Sequence, residues 1–394
     1  MESLNVEIFL DGGWQRCGDL ILTGGQQEKS NFIYDVDYYF EYCNEISNSG
    51  AGQVSVNCPL NLDGYEWPTL APFAMDIRPI GITRRHLAEK YDISSETDFL
   101  KFGANNPVGN LRTQAVFEPE KTSFSLEDVR IDNEAFKQLA AIKGGTDVQG
   151  DAPKLIAVKI GQDWFIDNGA VAGRHFILKF PRTRNREGEL VLETEYKYIQ
   201  VAKELGLNVQ SLSEYFYLHN HVLGIPRFDI QGEERFGLES LYSVMGMIGS
   251  GVKLNQFECA KKIYELCGVD DLVEYVKRDM VNFAFGNTDN HGRNTAFLKS
   301  KNEVSLAPLY DFAPMILDSE VIRRTSNWVD KETSAKINWL EVISKLEDLI
   351  SADLSDLKLF VETLPDKAEQ LLSDFDVDKE VVNTIQPKIE SFRK

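Results

Sequence analysis

Residues 286–294, GNTDNHGRN, place an aspartate, a histidine and several amides in one short stretch. Asp289 and Asn294 stand five residues apart, and Asp311 follows further along the chain. Oxygen ligands such as these suit Mg²⁺, and a carboxylate beside a hydroxyl group suits proton removal during phosphoryl transfer. Because Asn, Asp and Gly are also common in turns, an ordinary polar turn is the structural alternative.

Phosphoryl transfer of the protein-kinase type requires three further groups upstream: a glycine-rich turn, a strand lysine and a helix glutamate. GGTDVQGDAPK (144–154), Lys179 in FILKF and Glu195 occur in that order. Lys179 lies between two apolar residues, so its burial would be costly without a charged partner. An edge-strand lysine is the alternative for Lys179. For Glu195 the alternative is a solvated helix-face charge, and nearby Glu193 could also fill the role.

The elements that must position these residues follow from hydrophobic spacing. Residues 1–65 carry short apolar runs between turn residues (VEIFLDGGW, NFIYDVDYYF, GQVSVNCPL), which predicts a small antiparallel sheet. The stretches ITRRHLAEKYDI and SLEDVRIDNEAFKQLAAIKG have helical spacing.

From residue 144 the pattern changes. LIAVKIG and HFILKFP predict a β-hairpin, and ELVLETEYKYIQVAKELGL predicts a helix ending at Gly206. Strand-like segments continue through HVLGIPRFDI, and helices dominate after residue 238, including SDLKLFVETL and DKEVVNTIQPKIESF. NTAFLKS and EVSLAPLYDF predict a short two-stranded element directly after the polar loop.

Composition excludes several classes of protein. The formal net charge of −20 disfavours broad nucleic-acid binding, which makes a metallonuclease built on Asp289 and His291 the weakest interpretation. Five scattered cysteines without a C-x-x-C pair indicate neither a disulfide framework nor a thiolate zinc site. Without a signal-like N-terminus or a run of about 18 apolar residues, we expect a cytoplasmic protein with no membrane contact.

The motifs together resemble those of HipA-type serine/threonine kinases, the toxins of bacterial HipBA-like toxin–antitoxin systems. The resemblance covers most of the chain, and its segments are VEIFLDGGWQRCGDL, FAMDIRPIGITRRHL, NNPVGNLR, GDAPK, FILKFP, ETEYKYIQVAKELGLNV, PRFD, GNTDNHGRN and LAPLYDF. It implies an α+β, bilobal protein-kinase-like fold with a β-rich N-terminal part and an all-α C-terminal lobe. We expect an N-terminal subdomain at 1–130, a nucleotide-binding lobe at 131–238 and a helical lobe with the catalytic and metal motifs at 239–394.

By this resemblance, Asp289 is the catalytic aspartate, Asn294 and Asp311 hold Mg²⁺, and Lys179 binds ATP with Glu195 as its partner. His291 supports the loop, and Tyr310 packs under the metal site. The remaining ATP-binding positions that the resemblance implies are Gln149, Gly150, Asp151, Ala152, Pro153, Lys154, Pro226 and Phe228.

Two positions depart from the family pattern. Pro226 stands where relatives usually have glutamate, and it has no backbone N–H to donate. A phosphate-loop serine that is autophosphorylated in several relatives aligns with Asp147, so we take the neighbouring Thr146 as an alternative phosphate acceptor.

The implied function is ATP-dependent phosphorylation of a protein hydroxyl, with an aminoacyl-tRNA synthetase as the leading substrate class and inhibition of translation as the result. The implied partner is a small helix-turn-helix, HipB-like antitoxin, with DNA contacted only through it. An inactive ATP-binding co-repressor is the alternative, and phosphorylation of a small molecule or lipid is a further one.

Overall fold

The computed structural model describes residues 2–23, 29–44, 50–113, 122–126, 153–167, 173–183, 185–219, 221–249, 251–301, 303–328 and 337–393. The chain divides into two compact units. The first unit comprises Met1–Arg182, Leu218–Gly249 and Ala296–Val304, and the second comprises Thr183–Tyr217, Ser250–Thr295 and Ser305–Lys394. The three-part division at residues 130 and 238 stays a prediction.

The N-terminal part of the first unit contains the antiparallel sheet that the sequence predicts. Its strands are β1 (Glu2–Leu10), β2 (Gly13–Thr23), β3 (Lys29–Tyr34), β4 (Tyr65–Trp67) and β5 (Leu111–Thr113), in the order β4-β3-β2-β1-β5. Leu4, Val6 and Ile8 alternate with more exposed residues and enter the core, as expected for a strand with one buried face.

Two of the predicted strand segments in this part are wrong. DVDYYF forms helix α1 (Val36–Tyr42), because the Asp35 carboxylate caps it by accepting the N–H groups of Asp37 and Tyr38. GQVSVNCPL forms no strand, and side chains bind its backbone instead: the Val54 N–H donates to the Tyr34 hydroxyl at 3.1 Å.

Three more helices complete this part: α2 (Pro72–Ile77), α3 (Gly81–Tyr91) and α4 (Glu96–Gly103). Helix α3 confirms the prediction for ITRRHLAEKYDI. The helix predicted in SLEDVRIDNEAFKQLAAIKG lies outside the described residues, apart from its first two positions.

A second sheet carries the predicted nucleotide-side residues. The strands between residues 122 and 226 are β6 (Ser123–Phe124), β7 (Lys154–Ile160), β8 (Asp163–Ile166), β9 (Arg174–Lys179), β10 (Phe216–Leu218) and β11 (Val222–Pro226). Of these, β11, β9, β7, β8 and β6 are neighbours in that order. The predicted pairing of LIAVKIG with HFILKFP is confirmed, but β8 is an additional strand on the other side of β7.

Helix α5 (Arg186–Glu204) opens the second unit and confirms the predicted helix. The Asn185 side chain caps its start by accepting the Gly188 N–H, and Gly206, with φ 82°, follows its end. The helix begins three residues earlier than its apolar pattern indicated. Glu195 therefore lies in the third turn of this helix.

The C-terminal part is mainly helical. Helix α6 (Leu241–Val244) belongs to the first unit, and the second contains α7 (Gln256–Ala284), α8 (Trp339–Ile350), α9 (Ser355–Asp374) and α10 (Lys379–Glu390). Helix α7 is interrupted at Gly268, where φ is 85°. None of the described helices is both long and apolar enough to cross a bilayer.

Short strands accompany these helices, so this part is not entirely helical. They are β12 (Ile230–Gln231), β13 (Glu234–Arg235), β14 (Gly237–Ser240), β15 (Leu254–Asn255), β16 (Ala296–Lys299), β17 (Val304–Leu306) and β18 (Ser326–Asn327). The Ser300 N–H donates to the Glu303 carbonyl at 2.9 Å and closes the turn between β16 and β17. This pair is the two-stranded element predicted after the polar loop.

Candidate active site

The polar loop begins where α7 ends. Gly286 has φ 71°, a conformation that side chains other than glycine's seldom allow, and its carbonyl accepts the Ile316 N–H at 2.9 Å. A Cβ atom at Gly286 would lie 2.7 Å from Cγ2 of Ile316. A glycine is therefore required both by the backbone turn and by close packing.

Asn287 joins the polar loop, which we call the catalytic loop (residues 286–294), to the segment around Asp311, which we call the metal segment. Its Nδ2 donates to the carbonyl of Asp311 and to Oδ1 of Asn282, both at 3.0 Å, and its Oδ1 accepts the Asp289 N–H at 3.3 Å. The side chain is buried. One amide thus fixes the backbone of both predicted acidic residues, a role that the spacing of residues in the sequence does not reveal.

Within the loop, Asp289, His291 and Asn294 form a closed set of contacts. The Asn294 Nδ2 donates to the Asp289 carbonyl at 2.7 Å, and the Asn294 N–H donates to the His291 carbonyl at 2.9 Å. The Arg293 N–H donates to Nδ1 of His291 at 3.2 Å. The neutral imidazole therefore has its proton on Nε2, which lies 3.5 Å from Oδ1 of Asp289. Nε2 of His291 thus lies beside the predicted catalytic carboxylate, and the supporting role of His291 stays a prediction.

Asn294 and Asp311 offer the oxygen atoms that Mg²⁺ prefers. Because the amide nitrogen of Asn294 is bonded to the Asp289 carbonyl, its orientation is fixed and Oδ1 is the atom left for a cation. Asp311 has φ 51°, an uncommon conformation for a residue with a side chain. No group of three or more His, Cys, Asp or Glu suited to a metal occurs among the described residues. Two protein ligands together with substrate phosphates are, however, a usual arrangement for Mg²⁺, so these residues fit the ion.

Asn290 ties the other side of the loop to the segment that ends in β18. Its Nδ2 donates to the Ser326 carbonyl at 2.8 Å, and its Oδ1 accepts the N–H groups of Thr325 and Ser326 at 3.0 and 3.3 Å. The sequence does not single out Asn290 either, because an asparagine in a turn-rich stretch carries no specific signal.

An aromatic cluster supports the metal segment from below. Tyr198 on α5 lies 5.0 Å from Phe312 and 5.2 Å from Phe285, measured between ring centroids, and its hydroxyl donates to the Phe285 carbonyl at 3.1 Å. Tyr310 donates its hydroxyl to the Arg293 carbonyl at 2.6 Å. The phenol of Tyr310 thus braces the catalytic loop against the metal segment.

Glu195 lies on α5, three residues before Tyr198, and is half-buried. Its rival Glu193 forms an ion pair with Lys197 at 2.9 Å and has a side chain 42% exposed. This contact marks Glu193 as a helix-surface charge and leaves Glu195 as the candidate partner of the nucleotide lysine. That role stays a prediction.

The predicted nucleotide-side residues lie in the first unit. Lys179 is buried on β9, opposite Lys154 of β7 on one side and Leu223 of β11 on the other. Because β9 is paired along both edges, the edge-strand interpretation of Lys179 is wrong. The Phe180 N–H donates to the Pro153 carbonyl at 3.0 Å, which holds the start of β7 beside Lys179. Thr146 and positions 149–152 lie outside the described residues.

The hinge segment begins at Pro226, which stands opposite Phe176 at the end of β11. The Arg227 N–H donates to the His175 carbonyl at 2.9 Å, and Phe228 is buried. The described residues therefore gather Asp289, His291, Asn294, Tyr310 and Asp311 in the second unit. They gather Pro153, Lys154, Lys179, Pro226 and Phe228 in the first.

These features define the class of protein: an α+β chain with a β-rich N-terminal part, a helical C-terminal part and the HipA-type kinase fold. A solved structure of the Shewanella oneidensis MR-1 toxin–antitoxin system HipA, HipB and its operator DNA complex matches with a TM-score of 0.70 at 16% identity, covering 99% of this chain and 95% of that chain. The fold predicted from the sequence is confirmed by this likeness, which at such low identity shows the fold alone.

Two sequence comparisons narrow the class further. The family described as HipA-like C-terminal domain matches residues 146–377, more than half of the chain. The serine/threonine-protein kinase toxin HipA of Shewanella oneidensis is 24% identical over 208 residues, which span 47% of this chain and 47% of that protein. The match thus spans about half the length of that relative. The chain belongs to the HipA-like C-terminal domain family.

Proposed function

We propose that this protein is an ATP-dependent serine/threonine kinase that transfers the γ-phosphoryl group of ATP to a protein hydroxyl. The observation that carries the proposal is the position of Asn287, whose one side chain binds the backbone of both Asp289 and Asp311. Family membership and a buried central-strand lysine, Lys179, support it further.

The proposed roles follow from the contacts. Asp289 orients the attacking hydroxyl and accepts its proton, while the Nε2–H of His291 faces that carboxylate and holds its direction. Asn294 and Asp311 would hold Mg²⁺, which when bound would neutralise charge on the phosphates. Lys179 binds the phosphates, with Glu195 as its partner. The segment from Gln149 to Lys154 lines them, and Pro226 and Phe228 face the adenine.

Such a site accelerates the reaction chiefly by positioning. Phosphoryl transfer passes through a largely dissociative transition state, so the protein supplies geometry and charge rather than covalent chemistry. The hydrogen bonds of Asn287 and Tyr310 support this interpretation, because each fixes a backbone group at or next to a proposed reacting residue. Asn290, the residue after Asp289, is itself anchored by its side chain to Ser326.

We further propose that the kinase is the toxin of a toxin–antitoxin pair. A likeness to HipA in a complex with HipB and operator DNA supports a small helix-turn-helix antitoxin as partner, with DNA reached only through it. The net charge of −20 agrees with indirect DNA contact. An aminoacyl-tRNA synthetase is the proposed substrate, and its phosphorylation would stop translation.

Incubation of the purified protein with γ-labelled ATP and a cytosolic extract tests this function. We expect label on one protein band, identified by mass spectrometry as a tRNA-charging enzyme, and none with Asp289→Asn. ATP binding without label on any macromolecule would instead favour the inactive co-repressor.

We propose Thr146 as the site of any regulatory autophosphorylation, because the residue aligned with the modified serine of relatives is Asp147. Peptide mass spectrometry after incubation with Mg-ATP should find phosphate on Thr146, and Thr146→Val should remove it. Phosphate only at other positions would exclude this residue.

A further inference from the structure

Two sequence signatures, NNPVGNLR (105–112) and PRFD (226–229), carry polar side chains to which the proposed phosphoryl transfer assigns no role. Their polar groups meet in one buried cluster of the first unit. The guanidinium of Arg227 is fully buried and donates to both carboxylate oxygens of Asp229 at 2.9 and 2.5 Å. A third N–H of Arg227 donates to Oδ2 of Asp167 at 3.2 Å.

Asp167 is held by further groups. Its Oδ2 lies 2.6 Å from Nδ1 of His175, and its Oδ1 accepts from Nδ2 of Asn106 at 3.2 Å. The side chains of Asp167 and His175 are both almost completely buried. Buried carboxylates of this kind are costly unless hydrogen bonds and opposite charges surround them.

Arg235 completes the cluster. Its Nε donates to the Gly109 carbonyl at 2.6 Å and its Nη2 to Oδ1 of Asn106 at 2.9 Å, while the Gly109 N–H donates to Asp229 at 2.7 Å. Arg227 therefore pairs with both aspartates, while Asp229 and Arg235 bond residues 106–109 to the chain that follows Pro226. We call Asn106, Gly109, Asp167, His175, Arg227, Asp229 and Arg235 the hinge cluster.

The hinge cluster lies directly behind the residues proposed to face adenine. Arg227 stands between Pro226 and Phe228, and its N–H donates to the His175 carbonyl, so it continues the pairing of β11 with β9. In a strand, successive side chains point to opposite faces. The side chain of Arg227 enters the cluster, which leaves Pro226 and Phe228 to share the other face.

We propose that the hinge cluster positions the nucleotide base: its ion pairs hold Arg227, and through it the backbone of Pro226 and Phe228. This inference rests on the proposed function. Asp167 and Arg227 are then positioning residues for the base, while Lys179 acts on the phosphates. Substitutions in the hinge cluster should therefore weaken binding of the base, whereas substitution of Lys179 should weaken binding of the phosphates only.

Calorimetric titration with adenosine and with Mg-ATP tests this separation. We expect Asp167→Asn to weaken the binding of both ligands by a similar factor, on the order of tenfold. Lys179→Met should weaken Mg-ATP binding but leave adenosine binding unchanged. Glu239→Gln is the control for loss of a buried carboxylate, because Glu239 pairs with Lys299 elsewhere in the same unit, and it should change neither affinity.

Thermal unfolding is recorded for every variant, so that binding is compared only between folded proteins. If Asp167→Asn does not fold, Asn106→Ala removes a neutral member of the hinge cluster and should weaken both ligands about threefold. Wild-type affinity for adenosine in a folded cluster variant would overturn the inference. A wild-type protein that binds no ATP would instead refute the proposed kinase, which keeps the two failures apart.

Discussion

At the residue scale, Asn287 connects the two acidic positions on which the proposed chemistry depends. Asn287→Ala removes its hydrogen bonds to the half-buried Asp289 N–H, Asp311 carbonyl and Asn282 side chain. We expect a loss of about 1–3 kcal/mol in the free energy of unfolding. We also expect a fall in kcat on the order of tenfold to a hundredfold, because small displacements of reacting groups are costly. Urea unfolding and initial-rate kinetics measure the two effects.

Asn57→Ala provides the matched control for this prediction. The Nδ2 of Asn57 donates to the Val244 carbonyl at 2.8 Å in the first unit, so its removal also costs amide hydrogen bonding. The kcat of the Asn57→Ala variant should match that of the wild type. An Asn287→Ala protein with unchanged kcat would show that the loop geometry does not depend on this amide.

Some of these residues could be identified from the sequence and others could not, for a physical reason. Asp289, Asn294 and Asp311 could be found because their chemistry and their order along the chain match a known motif. Asn287 and Asn290 act through side-chain bonds to backbone groups distant in sequence, and no spacing rule encodes such bonds. The same holds for the hydroxyl of Tyr310, which binds a carbonyl seventeen residues earlier.

At the element scale, Gly286 sets the direction in which the loop leaves α7. Gly286→Ala would force a Cβ into the left-handed region, at a cost of about 1–2 kcal/mol, and press it against Ile316. Overpacking of this kind adds about 1–3 kcal/mol. We therefore expect a total loss of roughly 2–5 kcal/mol in the free energy of unfolding, measured by urea denaturation.

Gly206→Ala separates the two contributions. Gly206 also has a positive φ, 82°, but nothing lies within 4 Å of a Cβ placed there. The free energy of unfolding of Gly206→Ala should therefore fall only by the backbone contribution, about 1–2 kcal/mol. Equal losses at Gly206 and Gly286 would mean that packing against Ile316 contributes nothing.

The elements that the sequence predicted best are those with long, regular apolar spacing. Helix α5 extends over 19 residues with an amphipathic pattern and a side-chain cap, and its existence was clear from the sequence. Helix α1 was mistaken for a strand because its aromatic residues favour strands in general. The cap at Asp35 and the buried pair Tyr38 and Tyr42, four residues apart, were the signals that could have corrected it.

At the scale of the whole molecule, ion pairs make stability depend on pH. Burial alone would raise the pKa of Glu96, but hydrogen bonds from Arg84 and the charge of Arg78 outweigh it and hold the pKa below its ordinary value. Arg84 contacts both carboxylate oxygens, at 2.8 and 3.0 Å. The ionised form is therefore favoured in the folded protein.

The sign of the effect follows from linkage. Since the pKa is lower in the folded state, the stabilisation is complete above the unfolded value of about 4.3 and is lost as pH falls through the folded value. Glu96→Gln should be less stable at neutral pH and lose less stability than the wild type between about pH 6 and pH 3. Urea unfolding across this range checks the prediction, and an identical pH slope in both proteins would contradict it.

The overall organisation was predictable only in part. The order of the motifs could be read along the chain, and the fold class followed from their resemblance to a known family. The grouping of distant segments could not, because the first unit combines residues 1–182 with two later segments through contacts that no local pattern records. The hinge cluster is the clearest case, since it joins Gly109 to Asp229 across 120 positions.

The most direct test of the proposed kinase is the rate of phosphate transfer from labelled Mg-ATP to its protein substrate by purified wild type, Asp289→Asn and Asp366→Asn. Asp366 is an aspartate on α9 with a side chain 84% exposed that pairs with Arg393 at the surface, so its variant controls for loss of a carboxylate charge away from the site. We predict a fall on the order of a hundredfold to ten-thousandfold for Asp289→Asn and wild-type rates for Asp366→Asn. A folded Asp289→Asn protein that transfers phosphate at the wild-type rate would contradict the central claim.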